Sequence, residues 1–177
     1  MSTIQMAVAP TTLFSSAFSV IYNLLDDYVA DPISTTRNQT QGSTKWIFAS
    51  FPEADVEAGK IKYPILIIDP IDAAWDNWTM TKNQTDLTIG ITIYSTNMEQ
   101  LDEIFDSCSA VMDSQRSYLL SQGLHNIRLN SSSTDFAMHG GTRVHFKAAT
   151  YLARYYFTHG LSKRNYSKTI ASAAVIA

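Results

Sequence analysis

Cysteine is almost absent from this sequence, with Cys108 the only one among 177 residues. A single cysteine cannot form an intrachain disulfide, so the class of small proteins held together by disulfides is excluded. Cys108 falls on the apolar stripe of a predicted helix. We therefore expect a buried, unreactive thiol rather than a catalytic nucleophile.

Charged residues are also scarce, at 16% of the sequence against about a quarter in a typical globular protein. Ser, Thr, Asn and Gln take their place, which predicts a polar but largely uncharged surface suited to hydrated interfaces. The net charge of −3 argues against nonspecific binding to nucleic acid, which needs clustered Lys and Arg. No apolar run reaches the roughly 20 residues that span a membrane, so no membrane partner is expected.

The motifs of common enzyme classes are missing as well. The sequence has no G-x-S-x-G elbow, Walker A loop, dinucleotide-binding glycine pattern, C-x-x-C pair or H-E-x-x-H helix. His139 and His145 could meet across a hairpin, but a metal site needs a third ligand. Asp69, Asp72 and Asp76 surround a proline, where Asp is commonly a turn residue. We therefore expect no catalytic residue, no cofactor and no metal site.

The clearest secondary-structure pattern lies in residues 81–120. Apolar and polar residues alternate from Leu87 to Tyr94, which predicts a half-buried strand over 81–94. The apolar period then changes to 3.6, which predicts a helix over 98–120. Thr96 and Glu99 have the spacing of a capping box at the start of that helix.

The remaining segments complete a small α+β domain. A first helix ends near Tyr28, before Asp31-Pro32, and its apolar face is formed by Phe14, Phe18, Ile21, Leu25 and Tyr28. The other predicted segments are an exposed loop at 33–43, a strand at 44–51, a charged connection at 53–60, a central strand at 61–69, an aromatic loop at 71–80, a strand at 124–129, a polar loop at 130–136, a turn at 139–142 and a last strand at 143–157.

The order α-β-β-β-α-β-β predicts one two-layer domain over residues 1–158. Its sheet would be mixed and mostly antiparallel, with two helices on one face. Residues 63–94 would form a hairpin within that sheet. Residues 159–177 are basic and then small and apolar, which predicts a tail that is flexible or is ordered by a partner.

Two surfaces stand out as candidate sites. Trp75 and Trp78 lie with Asp76 in the predicted aromatic loop. Tryptophan is enriched at interface hot spots, but a loop tryptophan can also anchor on its own core, and both interpretations stay open.

The polar side of the second predicted helix is acidic, because it carries Asp102, Glu103, Asp106 and Asp113. Carboxylates in the first turns interact favourably with the helix dipole, which is the simpler explanation. If copies of the chain formed a ring, the same side chains could line a channel. DNA could then pass without binding, since a negative wall offers no phosphate contacts.

The order of elements resembles that of the tail terminator proteins of tailed bacteriophages and related viruses. The resemblance covers roughly residues 12–158 and depends on pattern rather than on one diagnostic motif. It lies in the first helix, in the Tyr63-Pro64-Ile65-Leu66-Ile67-Ile68 strand after Phe51-Pro52, in the long strand 86–94 that enters the helix 98–120, and in the closing strand 143–155.

The resemblance implies a structural subunit without catalytic activity. Such a subunit closes into a ring, typically a hexamer, at the head-proximal end of the tail tube. There it stops tube growth and joins the tail to the head connector while genomic DNA passes through the lumen. The protein would be assembled in the host cytoplasm and lie in the tail or neck of the virion. The alternatives are another neck or tail-completion protein and a small-ligand-binding module that uses Trp75 and Trp78.

Overall fold

The computed structural model describes residues 10–41, 45–69, 71–76, 82–139 and 141–158. Within these ranges the chain forms five helices and six strands. The helices are α1 (Pro10–Tyr28), α2 (Ser34–Gln41), α3 (Glu53–Glu57), α4 (Met98–Ser114) and α5 (Arg116–Ser121). The strands are β1 (Ile47–Phe48), β2 (Ile65–Ile68), β3 (Asp72–Asp76), β4 (Lys82–Ser95), β5 (Leu124–His139) and β6 (Thr142–Thr158).

The strands form one mixed sheet in the order β1-β2-β4-β6-β5, with β3 also paired to β4. Only the β1–β2 pair is parallel among these strands. β2 pairs with the end of β4, where Ile65 lies opposite Tyr94, and β3 pairs with its beginning, where Asp72 lies opposite Thr88. The two short strands therefore follow each other along one edge of β4. The predicted α+β class and the antiparallel hairpin within residues 63–94 are confirmed.

The core lies between the sheet and helices α1 and α4. The apolar residues of β4 that alternate from Leu87 to Ile93 are at most 1% exposed, as the period of two predicted. They pack in one cluster with Ile21 of α1 and with Leu101 and Cys108 of α4. All four residues of β2 are buried, which confirms a central strand covered on both faces.

Residues 33–43 do not form the predicted loop, because most of them belong to α2. This helix has no apolar face, so its sequence carries no helical period. A buried cation, rather than an apolar face, holds α2 against the rest of the chain. Arg37 is fully buried, and its Nε atom lies 2.7 Å from a carboxylate oxygen of Asp31. Its guanidinium also donates hydrogen bonds to the backbone oxygens of Lys62 and Pro64, at 2.6 Å each. Arg37 thus ties α2 to the segment that leads into β2.

The predicted helix over 98–120 is two helices in the structure. Gln115 lies outside the helical region, with φ −94° and ψ 23°, and separates α4 from α5. The N-cap of α4 is Asn97 rather than Thr96, because the Asn97 side chain accepts a hydrogen bond from the Glu99 N–H at 2.9 Å. Tyr28 was expected on the buried face of α1 but is 58% exposed at the last position of that helix.

Three predicted connections and one predicted strand were wrong in extent. The charged connection at 53–60 contains α3, and the strand expected at 44–51 is only the two residues of β1. The aromatic loop at 71–80 begins with β3, and the polar loop at 130–136 is part of β5. The predicted turn at 139–142 is confirmed, since His139 lies opposite Thr142 in the hairpin.

No helix within the described ranges is long and apolar enough to cross a membrane. Residues 159–177 lie outside those ranges, so the division into a domain and a tail stays a prediction.

Replacing Arg37 by Leu should lower the free energy of unfolding by about 3–5 kcal/mol, because it leaves a buried carboxylate without its partner. The carboxylate is that of Asp31, whose side chain is 5% exposed. Urea denaturation followed by circular dichroism measures the loss. The matched control is Arg116→Leu, which breaks an exposed pair with Asp113 and should cost at most about 1 kcal/mol. Equal losses in the two variants would contradict this account of α2.

Candidate assembly surfaces

Strand β5 is a long open edge of the sheet. It pairs with β6 on one side and with no other strand of the described residues. The stretch Arg128–Phe136 is exposed at every position, so both its side-chain faces and its outer backbone edge meet solvent. The unpaired N–H and C=O groups of such an edge are a template for pairing with another chain.

The opposite edge of the sheet is different in kind. It is formed by β1, which is two residues long, and by β3, which is five residues long and pairs only with β4 among the described strands. Ile47 of β1 and the preceding Trp46 are 1% and 3% exposed. A short, buried edge offers little backbone to a partner. Among the described strands, β5 therefore presents the longest open edge for strand addition.

The composition of β5 does not protect this edge. Proteins commonly guard an exposed edge with Lys, Pro or inward-pointing charges. Between Asn130 and Thr134 the strand carries only Asn, Ser and Thr. Because neither face of this stretch is buried, it has no apolar alternation, and that is why its sequence predicted a loop.

Apolar side chains are exposed on the same hairpin. Leu129 is 46%, Phe136 51% and Met138 63% exposed. Phe136 and Met138 are two residues apart in β5, so they lie on the same face of the strand. The Arg143 guanidinium lies 4.2 Å from the centre of the Phe136 ring. This end of the hairpin combines an open backbone edge with exposed apolar groups, as interfaces do.

An aromatic cluster covers part of the other side of the sheet. The centre of the Phe51 ring lies 4.8 Å from the ring centres of both Tyr94 and His139. The ring centres of Tyr94 and Phe146 are 5.5 Å apart. Burial raises the pKa of the Tyr94 hydroxyl, and the nearby Asp69 carboxylate raises it further. His139 therefore packs among aromatic rings.

Asp69, His139 and His145 were considered as possible catalytic or metal-binding groups. Asp69 accepts a hydrogen bond from the Thr92 hydroxyl at 2.8 Å. It also lies over Gly90, where an added Cβ would come 2.7 Å from its Oδ2 atom. His145 lies opposite Phe136 in the hairpin and His139 opposite Thr142, so the two histidines are not cross-strand partners. No cluster of three metal-binding side chains occurs in the described part of the chain.

The acidic face of α4 is divided into paired and unpaired carboxylates. Asp102 pairs with Lys147 at 2.8 Å, and Asp113 pairs with Arg116 at 2.7 Å. Glu103 and Asp106 are exposed and make no ion pair with a described residue. The channel-lining role proposed for these four side chains stays a prediction. Glu103 and Asp106 are the two of the four whose charge is not paired within the described part of the chain.

The tryptophan surface is only partly described. Trp75 and Asp76 belong to strand β3, where Trp75 lies opposite Thr85 of β4. They are thus held by a strand rather than by a loop. Trp78 lies outside the described residues, and the role of Trp75, Trp78 and Asp76 in an interface stays a prediction.

Comparison with models of known protein families finds no match, and comparison with curated protein sequences also finds none. Among solved structures, the fold is similar to that of a chain in the structure described as "Virion of native gene transfer agent (GTA) particle". The TM-score is 0.52 at 11% sequence identity, over 84% of this chain and 99% of that chain. The likeness is one of fold. It extends over nearly the whole of that chain, so the shared architecture is not a local motif.

Cys108 is 2% exposed, which confirms the expectation of a buried cysteine, and this burial raises the pKa of its thiol to about 12. Because the thiolate is the reactive form, native protein should react with Ellman's reagent at pH 8 on the order of 1,000-fold more slowly than protein in urea. The absorbance of the released thiol product measures both rates. Equal rates would show that Cys108 is accessible in the folded protein.

Replacing Met138 by Ser should change the free energy of unfolding by less than about 0.5 kcal/mol, since an exposed side chain loses little packing. If the hairpin is a contact surface, the variant should nevertheless self-associate more weakly. Sedimentation velocity over a concentration series measures this. The matched control is Leu120→Ser on α5, where Leu120 is 52% exposed. Unchanged association in Met138→Ser, or an equal loss in the control, would exclude a specific contact at Met138.

Proposed function

We propose that this chain is a non-enzymatic structural protein of a virion that closes into a ring at the head-proximal end of a tail tube. In this role it acts as a tail terminator, which ends tube polymerisation and joins the tail to the head connector. The observation that carries the proposal is the fold shared with nearly all of a chain from a gene transfer agent virion. The order of elements, which resembles that of tail terminators, supports it independently.

The open edge of β5 supports an assembling protein. A strand of 16 residues with one neighbouring strand in the described part of the chain is a hazard for a protein that acts alone, because unpaired edges promote aggregation. In an assembly the same edge and the exposed Phe136 and Met138 become buried contacts. The scarcity of charged residues fits such contacts, since charged residues are depleted at interface cores.

A ring restricts how the copies meet. Contact between two identical surfaces, such as β5 with β5, forms a two-fold dimer and closes there. A ring needs a heterologous contact, in which one surface of a copy meets a different surface of the next. The ring proposal therefore requires the β5 hairpin to contact something other than the β5 hairpin of its neighbour.

The proposed partners are six copies of this chain, a tail tube protein and a head connector or stopper protein. DNA passes through the lumen without specific binding, which agrees with the net charge of −3. The proposed place of the protein is the tail or neck of the virion, after assembly in the host cytoplasm. No cofactor or metal is part of this function.

Another neck or tail-completion protein of the same virion region is the second candidate. The fold comparison supports it equally, because that structure is of a whole virion particle. The two candidates differ in the surface they bind: a terminator binds the end of the tail tube, whereas other neck proteins bind the connector or its neighbours.

Incubation of the protein with polymerising tube protein tests the proposal. We expect size-exclusion chromatography with light scattering to show a species near six times the subunit mass of 19.7 kDa. Negative-stain microscopy should show tubes of limited length capped at one end, because ring binding stops further addition. A tube preparation without the protein is the control. Rings that bind connector protein but not tube protein would favour the second candidate. A protein that stays monomeric both with tube protein and with connector protein would exclude the ring.

A further inference from the structure

A hollow of about 560 Å³ lies where the β5–β6 hairpin begins. Three of the side chains that line it are arginines: Arg116 of α5, Arg128 of β5 and Arg154 of β6. Asp86 is the one carboxylate among its described lining residues, and it accepts a hydrogen bond from Arg154 at 2.9 Å. In a chain with only 13 Lys and Arg residues, this is a marked concentration of positive charge.

An irregularity in β5 shapes the hollow. The register of the β5–β6 ladder shifts between His125 and Arg128, and Asn126 has a positive φ of 53°. Such bulges change the direction of side chains at a sheet edge. Ile127 remains in the core at 6% exposure, while Asn126 and Arg128 are exposed on either side of it. The bulge thus keeps one residue in the core and leaves two polar residues at the hollow.

Two of the three arginines are available to another molecule. The side chain of Arg128 makes no hydrogen bond or ion pair with any described residue. Arg116 pairs with Asp113, but both side chains are more than 60% exposed, and such a surface pair contributes little stability. A guanidinium group binds a carboxylate through two parallel hydrogen bonds. The hollow is therefore suited to carboxylate groups of a partner.

The same chain carries a matching surface, which we call the acidic stripe: Glu99, Glu103 and Asp106 of α4. Their spacing of four and three residues places them on one side of the helix. All three are exposed, and none has an ion pair among the described residues. Arg116 belongs to a separate helix, α5, whereas Asp106, the member of the stripe nearest to it in sequence, lies eight residues before the end of α4 at Ser114, about 12 Å along that helix axis. That distance exceeds the Debye length of about 8 Å at physiological salt, so the stripe does not neutralise the hollow within one copy.

We propose that the arginine hollow of one copy binds the acidic stripe of the next copy. This inference rests on the ring-forming function proposed above and names the contact that closes the ring. Two different, complementary surfaces on one chain produce a heterologous contact, which is the type a ring requires. The acidic stripe then lies at the boundary between subunits rather than on the wall of the lumen.

Charge reversal on each surface tests the contact. The hollow variant is Arg116→Glu with Arg128→Glu, and the stripe variant is Glu103→Arg with Asp106→Arg. Each variant alone places like charges together, so the concentration for half-assembly should rise at least about tenfold. In an equimolar mixture every contact between unlike variants is again complementary. The mixture should therefore restore rings in which the two variants alternate, and these rings contain an even number of copies.

Light scattering and native mass spectrometry of the single variants and the mixture provide the readout. The matched control for the hollow variant is Lys60→Glu with Lys62→Glu, which makes the same change of net charge at exposed lysines and should assemble like the unaltered protein. Circular dichroism checks that every variant is folded.

The outcomes separate the inference from the function. If the unaltered protein forms rings and either reversed variant forms them equally well, the hollow–stripe contact is wrong and the ring stands. Loss in both variants without recovery in the mixture also overturns the contact. If the unaltered protein stays monomeric alone and with tube protein, the ring itself is wrong.

Discussion

The backbone ladder between β4 and β6 is the interaction on which the rest of the structure depends. All 14 residues of β4 pair with β6, from Lys82 opposite Thr158 to Ser95 opposite His145. The other edge of β4 carries β2 and β3, and its apolar face carries the helices. Since β4 and β6 are both interior strands, an unpaired group in this ladder would be costly to bury. The ladder therefore holds the sheet together, and the sheet positions the β5 edge, the arginine hollow and the helix that carries the acidic stripe.

The few charges of the chain are used in two ways. Some are paired at joints between elements: Arg37 with Asp31 fixes α2, and Lys147 with Asp102 links β6 to α4. The Lys147 ammonium also lies 4.1 Å from the centre of the Phe105 ring. Others are exposed in the acidic stripe and the arginine hollow. Because charged residues make up only 16% of the sequence, two such patches can influence which molecules meet.

The candidate site was less predictable than the fold. The acidic helix face was recognised because four carboxylates share one side of a helix, and that depends only on spacing along the chain. The β5 edge and the arginine hollow were missed. Arg116, Arg128 and Arg154 are far apart in sequence and meet only because the hairpin and α5 are brought together. The bulge at Asn126 could not be predicted from the sequence either, because a bulge in one strand depends on how that strand pairs with another.

The sequence by itself determined the apolar elements, because a buried face repeats with the period of its own helix or strand. Thus β4 from Leu87 to Ile93, the four buried residues of β2 and the buried Cys108 in α4 could all be predicted. Tertiary structure alone decided the polar elements. α2 is a helix because Arg37 finds Asp31 and two carbonyl oxygens, and residues 130–136 are a strand because β6 lies beside them. Polar contacts between distant residues leave no period in the sequence, so only the folded chain reveals them.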